Sequence, residues 1–167
     1  MKTLLLSALT RQFLIQGVRF SELHPNDWLL WGAGTLAVPK GNIATANTVS
    51  DPLDAATPRP RVGDPLCFAL PTGVPGTTVT VGRSEGNDLV ISDETVSRHH
   101  CTLVWNEGWT AVSAEEHSVF ALDGHPVPPG RFVTVSSGQT LTLGHLELSL
   151  YTAQGMLLRL AAKLARR

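Results

Sequence analysis

From residue 64 onward, apolar residues alternate with polar ones in short runs, and each run is closed by a turn signal. A period of two sends successive side chains to opposite faces of an extended chain, so each run reads as a strand with one buried face. Val79 and Val81 alternate with threonines, and Cys101, Leu103 and Trp105 share one face of another run. Leu146, Leu148 and Leu150 form a third face, opposite His145, Glu147, Ser149 and Tyr151. The intervening turns lie at 85–88, 106–108, Asp123 with Gly124, Pro129 with Gly130, and Ser137 with Gly138. That spacing is what an antiparallel sandwich requires. Charged residues make up only 16% of the chain while Gly and Pro are abundant, a balance that also favours short strands and many turns.

The 167 residues suffice for one sizeable core with appendages. Residues 1–36 read as a partly helical N-terminal extension. Leu6, Leu9 and Phe13 have helical spacing, whereas Trp28, Leu29, Leu30 and Trp31 follow a turn at 24–27 and are too apolar to leave in water. The tryptophans are expected to be buried against the β domain or a partner. Residues 37–64 are small, polar and proline-studded with neither period, and read as a mobile linker. The β domain spans 65–151. Residues 152–167 form a basic C-terminal helix with an apolar stripe of Leu157, Leu160, Ala161 and Leu164 opposite Arg159, Lys163 and Arg166. Its basic face is either solvated, with the helix packed on the sandwich, or turned to a partner or anionic lipid.

Thirteen Lys and Arg against fourteen Asp and Glu leave no sequence-wide basic surface, so no nucleic-acid partner is expected. Cys67 and Cys101 sit inside apolar runs as small hydrophobes, which fits a reducing cytosol and a cytoplasmic location. The uncharged stretch 65–82 is broken by prolines and glycines, and Arg11 cuts short a leader-like run at the N-terminus. Neither a transmembrane helix nor a signal peptide is expected, and no membrane contact. His99 and His100 are adjacent on a strand, so they point to opposite faces and cannot chelate one ion; no second pair has metal-like spacing. No metal and no cofactor are expected.

The most informative stretch is VGRSEGNDLVISDETVSRHHCTLVW, residues 81–105. Gly82 and Arg83, then Asn87, Asp88 and Leu89, then Ile91 and Asp93, then Val96, Ser97 and Arg98 with His100 and Cys101, together resemble the forkhead-associated (FHA) family. Members of that family bind phosphothreonine peptides. Downstream, Asp123 and Gly124 fit the family's Asn-Gly turn, and residues 136–144 fit the turn before its penultimate strand. The resemblance covers about residues 65–151. It implies an all-β fold, an antiparallel FHA-type β-sandwich, here with a helical N-terminal extension and a C-terminal amphipathic helix.

A phosphothreonine carries about −1.5 to −2 charges and three acceptor oxygens, so its reader needs a planar fork of donors, hydroxyls and rigid loops. Arg83 supplies the fork, and Gly82 before it lets the backbone turn at the strand end. Ser97 offers a hydroxyl, which the resemblance implies also binds the phosphate, and Arg98 adds positive field beside the peptide. The resemblance further implies that His100 is structural, bonding across the loops. Asn87, Asp88 and Asp93 read as turn-fixing side chains, with Asn87 and Asp88 supporting the site. In the loop before the Asp-Gly turn the family usually has Thr-Asn-Gly, its asparagine gripping the peptide backbone; here stand His117, Ser118 and Val119. Serine is too short to replace an amide's paired donor and acceptor, whereas a His117 imidazolium would pair with the phosphate and strengthen binding toward mild acid. The candidate peptide-binding residues are therefore Arg83, Ser97, Arg98, His117 and Ser118.

Ser97, His99, His100 and Asp93 superficially resemble a nucleophile, base and orienter, but no nucleophile elbow surrounds Ser97, and the chain is not expected to be an enzyme. The resemblance implies a non-catalytic phosphothreonine-binding adaptor in Ser/Thr kinase signalling, whose partner is a phosphorylated protein, either the kinase or its substrate. The alternative is a phosphate-independent interaction module on a degenerate FHA fold, working through the Trp28 and Trp31 segment or the basic tail. Thr48, three residues before Asp51, is a candidate internal ligand after phosphorylation. Flanks rich in Ala, Leu and Arg point to a bacterial source.

Overall fold

Strands whose side chains alternate between core and solvent take up the alternating runs, as a computed structural model of the chain shows; it describes residues 1–32, 64–114 and 118–165. In chain order the elements are β1 (Thr3–Leu5), α1 (Leu6–Gln16), a 3-10 turn (Gly17–Arg19), α2 (Phe20–Leu23), β2 (Asp27–Trp31) and β3 (Leu66–Leu70). Then come β4 (Thr77–Gly82), β5 (Leu89–Val90), β6 (Cys101–Trp105), β7 (Trp109–Ser113), β8 (Phe120–Leu122) and β9 (His125–Pro126). The last are β10 (Phe132–Val135), β11 (Thr140–Leu143), β12 (Leu146–Tyr151) and α3 (Ala153–Ala165). A seven-stranded sheet in the order β1-β3-β2-β12-β11-β8-β9 faces a five-stranded sheet in the order β10-β7-β6-β4-β5.

Among the described residues all strand pairings are antiparallel except one. β5 runs parallel to the end of β4, with Val81 opposite Leu89 and Gly82 opposite Val90. The connecting loop is fastened back on itself: the Asp88 carboxylate accepts from Thr80 N and Thr80 Oγ1, both at 2.8 Å, so two residues suffice for the parallel contact. Between β8 and β9, Asp123 (φ 48°) and Gly124 (φ 76°) are both left-handed, as the mirror-image two-residue hairpin turn demands.

Two apolar layers hold the molecule. Between the sheets, Leu29, Phe68 and Leu70 meet Val79, Val81, Leu103 and Trp109, along with the inward leucines of β11 and β12. On the outer face of the seven-stranded sheet, Trp28, Leu30, Cys67 and Ala69 are covered by Leu6, Leu9, Phe20, Met156 and Leu160 from the helices. Burial pushes both thiols, Cys67 and Cys101, up to about 12, so neither is reactive at neutral pH.

Besides its helices, the N-terminal segment supplies two strands to the seven-stranded sheet. β2 lies between β3 and β12, pairing Leu29 with Phe68 and with Leu150, and β1 pairs with β3. The helical reading of residues 6–13 agrees with α1, in which Leu6 and Leu9 are buried. Of the expected linker, residues 37–63 lie outside the described residues, as does Thr48. Asp64 is among the described residues: its Oδ1 accepts from Ser7 N at 2.9 Å, and Pro65 O accepts from Leu6 N at 2.8 Å, so the chain entering β3 caps α1.

In α3 the buried positions are Met156 and Leu160, with Leu157 and Leu164 half-buried and Ala161 exposed. The expected stripe is thus rotated, because the helix presses Met156 and Leu160, one turn apart, against Trp28 and Leu30. Arg159 donates to Tyr151 Oη at 2.8 Å and lies 4.9 Å from that ring's centre. Arg166 lies outside the described residues. Among those described, no helix is long and apolar enough to cross a membrane.

Candidate functional site

Three loops converge at one end of the sandwich: the β4–β5 loop, the β5–β6 loop and the segment entering β8. The first two are zipped by backbone bonds, Arg83 N to Ser97 O at 3.0 Å and Ser84 N to Arg98 O at 3.1 Å. Gly82 permits this approach. A Cβ there would strike Arg98 O and stand 2.8 Å from Asn87 Nδ2, so glycine is needed for space, and its φ is not left-handed. The expected sharp turn is thus a close crossing of two backbones.

Asn87 is the cross-brace. Its Nδ2 donates to Ser84 O at 2.8 Å and Arg98 O at 2.7 Å, leaving Oδ1 to accept from His99 Nδ1 at 2.9 Å. With its proton on Nδ1, His99 uses Nε2 to accept from Thr102 Oγ1 at 3.1 Å. Asp88 faces the other way, onto Thr80, whose backbone and hydroxyl bonds hold its carboxyl below the ordinary range. It braces the β4–β5 loop and does not reach the cluster itself.

His100 is fully buried at the floor of the loops. Its Nδ1 accepts from Ser97 N at 3.1 Å, so the ring proton sits on Nε2 and is donated to Val119 O at 3.0 Å. One imidazole thereby ties the Ser97 loop to the segment entering β8. The same Val119 carbonyl accepts from Gly144 N at 2.9 Å, which brings in the β11–β12 turn. That turn is held in its own right: His145 N donates to Thr95 Oγ1 at 3.1 Å, while Thr95 N and Oγ1 donate to Asp93 Oδ1 at 2.8 and 2.5 Å.

On this frame the hydroxyls of Ser97 and Ser118 meet at 2.8 Å, both half-buried, while the side chains of Arg83 and Arg98 are exposed beside them. The fold thus brings together Gly82, Arg83, Asn87, Ser97, Arg98, His100 and Ser118, whereas His117 lies outside the described residues. Residues 64–151 contain only three Lys or Arg, and two of them are Arg83 and Arg98. An anion is the ligand this rim suits: two guanidinium groups, two hydroxyls and a rigid floor. Sequence reasoning missed Thr95, Thr102, the Val119 carbonyl and the role of Gly144. At Gly144 the only sequence signal was a glycine at a turn; in the structure its φ is 62° and a Cβ would strike Thr95 O. Among the described residues no cluster of three or more His, Cys, Asp and Glu could hold a metal ion. A groove of about 380 Å³ between the β8–β9 hairpin and β10, lined by Asp123, His125 and Arg131, shares no residue with these loops.

Residues 79–144 match the family model described as the FHA domain, a stretch that runs from β4 to the β11–β12 turn and contains every loop of the cluster. The FHA domain of the CT664 protein from Chlamydia trachomatis is similar in structure, with TM-score 0.51 and 19% identity over 75% of this chain and 96% of that one. So is the FHA domain of an Arabidopsis thaliana hypothetical protein, with TM-score 0.50 and 20% identity over 76% of this chain and 86% of that one. At such identities the two structures speak for the fold alone. No curated protein matches the chain. The local motif, the two facing sheets and the family match agree: residues 79–144 match the FHA domain, and the fold is of FHA type.

Proposed function

We propose that the loop cluster binds phosphothreonine peptides and that the protein is a non-catalytic cytoplasmic adaptor in Ser/Thr kinase signalling, recruiting a phosphorylated kinase or kinase substrate. The observation that carries this reading is the Ser97–Ser118 hydroxyl pair beside two exposed arginines, on loops braced by Gly82, Asn87 and His100. Arg83 offers the phosphate a planar two-donor fork, Ser97 a hydroxyl, and Arg98 a positive field along the peptide. His100 and Asn87 touch no ligand in this scheme; they fix the distance between the loops. Ser118, in place of an amide, turns its hydroxyl toward Ser97, so the grip falls on the phosphate more than on the peptide backbone. His117, adjacent to Ser118 in the sequence, adds a third cation when protonated.

One observation favours a second reading. The Ser97 hydroxyl already has a partner in Ser118, as it would on a retired site whose interactions run through another surface. Amide shift mapping by NMR separates the two. A phosphothreonine peptide is expected to shift Arg83, Ser84, Ser97, Arg98 and Ser118, and its unphosphorylated form to shift none of them. Shifts confined to other surfaces, or equal for both peptides, would favour the second reading.

A further inference from the structure

The three helices cover the outer face of the seven-stranded sheet with one side each, and the sides turned away from the sheet are not those of an ordinary solvent-facing layer. Leu14, Ile15, Val18 and Leu158 are 59%, 77%, 93% and 63% exposed. Six of the nine large hydrophobic side chains exposed among the described residues belong to residues 1–26 and 152–165. Charge is segregated in the same way. Residues 1–26 and 152–167 contain seven Lys or Arg and one acid, Glu22, whereas residues 64–151 contain three arginines and ten acids. Lys2, Arg11, Arg19, Arg159 and Lys163 are all exposed.

We infer that this helical layer is a peripheral docking surface for anionic phospholipid, with Leu14, Ile15 and Val18 entering the headgroup region and the exposed cations of the same segments meeting lipid phosphates. The combination selects the occupant. A bilayer surface supplies both an apolar phase for exposed Ile and Val and a dense negative charge for the rim. A nucleic acid supplies the charge without the apolar phase. A second copy docked through the same face would set cationic layer against cationic layer, which opposes association. The acidic sandwich is repelled by the same anionic surface, so the layer also orients the molecule. This takes up, and extends to α1, the alternative reading of the C-terminal helix as a basic face turned to anionic lipid; α1 and α3 lie along the surface and do not cross it.

The test is co-sedimentation of the full chain with large vesicles of phosphatidylcholine alone or with about a quarter phosphatidylglycerol, at low and high salt. Binding is expected on the anionic vesicles, at least about tenfold weaker on neutral ones, and largely lost in high salt. Ile15→Glu with Val18→Glu, and separately Arg11→Glu with Arg19→Glu, should each weaken binding at least about tenfold while leaving the circular dichroism and melting curve unchanged. Val74→Glu with Phe132→Glu, on exposed sandwich positions, should bind as wild type. No binding to anionic vesicles at low salt, or equal binding by the Ile15/Val18 variant, overturns the inference. So does a dimer in light scattering that dissolves in that variant while vesicles are ignored, because the face would then belong to a second copy.

Discussion

Replacing Asp27 with alanine tests whether the N-terminal strand is a structural member of the sandwich. Asp27 opens β2 as a buried side chain whose Oδ2 accepts from Trp109 Nε1 at 2.8 Å, reaching the opposite sheet. Its Oδ1 accepts at 2.8 Å from Ala153 N, the first residue of α3. One carboxylate thus joins both sheets and the C-terminal helix across most of the chain. Alanine strands the buried indole N–H, costing about 1–3 kcal/mol. It also removes an acceptor at a helix N-terminus, where such losses run about 0.5–2 kcal/mol. Relief of the buried charge offsets part of this, leaving about 2–3 kcal/mol net. At roughly 2–4 °C per kcal/mol for a chain of this size, Tm should fall by about 5–10 °C. Urea unfolding followed by tryptophan fluorescence reads the loss as a lower midpoint. In a Trp109→Phe background the same substitution should cost at least about 1 kcal/mol less. A loss below about 0.5 kcal/mol, or one that ignores Trp109, would refute the reasoning.

Gly82→Ala should destabilise the fold by about 1–3 kcal/mol and abolish phosphopeptide binding, since the added methyl strikes Arg98 O; thermal melts and peptide titration check both effects. His100→Phe fills the same space without the bonds to Ser97 N and Val119 O, so it should weaken peptide binding at least about tenfold while the backbone amide of Arg83 keeps its protection in hydrogen exchange. Asp64→Ala removes the acceptor for Ser7 N and should cost about 0.5–2 kcal/mol, seen in urea unfolding. Burial, with Lys2 adding to it, holds His24 below the ordinary histidine value of 6.5 in the folded state. The unfolded chain therefore takes up the proton first, so stability should be complete above about pH 6.5 and decline below it; a flat stability between pH 7.5 and about 5.5, or a decline that survives His24→Phe, would contradict this.

Strands with one wet face were legible in the sequence because their period shows: β4, β6 and β12 alternate, and their buried residues are the ones the pattern marks. β2 was not legible as a strand because both of its faces are covered. Trp28 and Leu30 look to the helices and Leu29 to the sandwich, so DWLLW is a continuous apolar run with no period to read. The site divides along a similar line. Gly82, Arg83, Ser97 and His100 stand close together in sequence and are chemically distinctive. Val119 contributes a carbonyl, which every residue has, and Thr95 acts through a bond to a turn fifty residues away. Asp27 gives no local sign that its partners are Trp109 and Ala153.

The claim that the Arg83–Ser97–Ser118 cluster reads phosphothreonine is tested most directly by fluorescence anisotropy. Phosphothreonine, phosphoserine and unphosphorylated forms of one degenerate peptide pool are titrated into wild type and Arg83→Ala. Loss of a charge-assisted contact of about 1.5–3 kcal/mol predicts affinity lower by about ten- to a hundredfold in the mutant, with an unchanged melting temperature. The account predicts binding that requires phosphothreonine and is lost with Arg83. Binding indifferent to phosphate and to Arg83 would contradict it and move the interaction to another surface of the molecule.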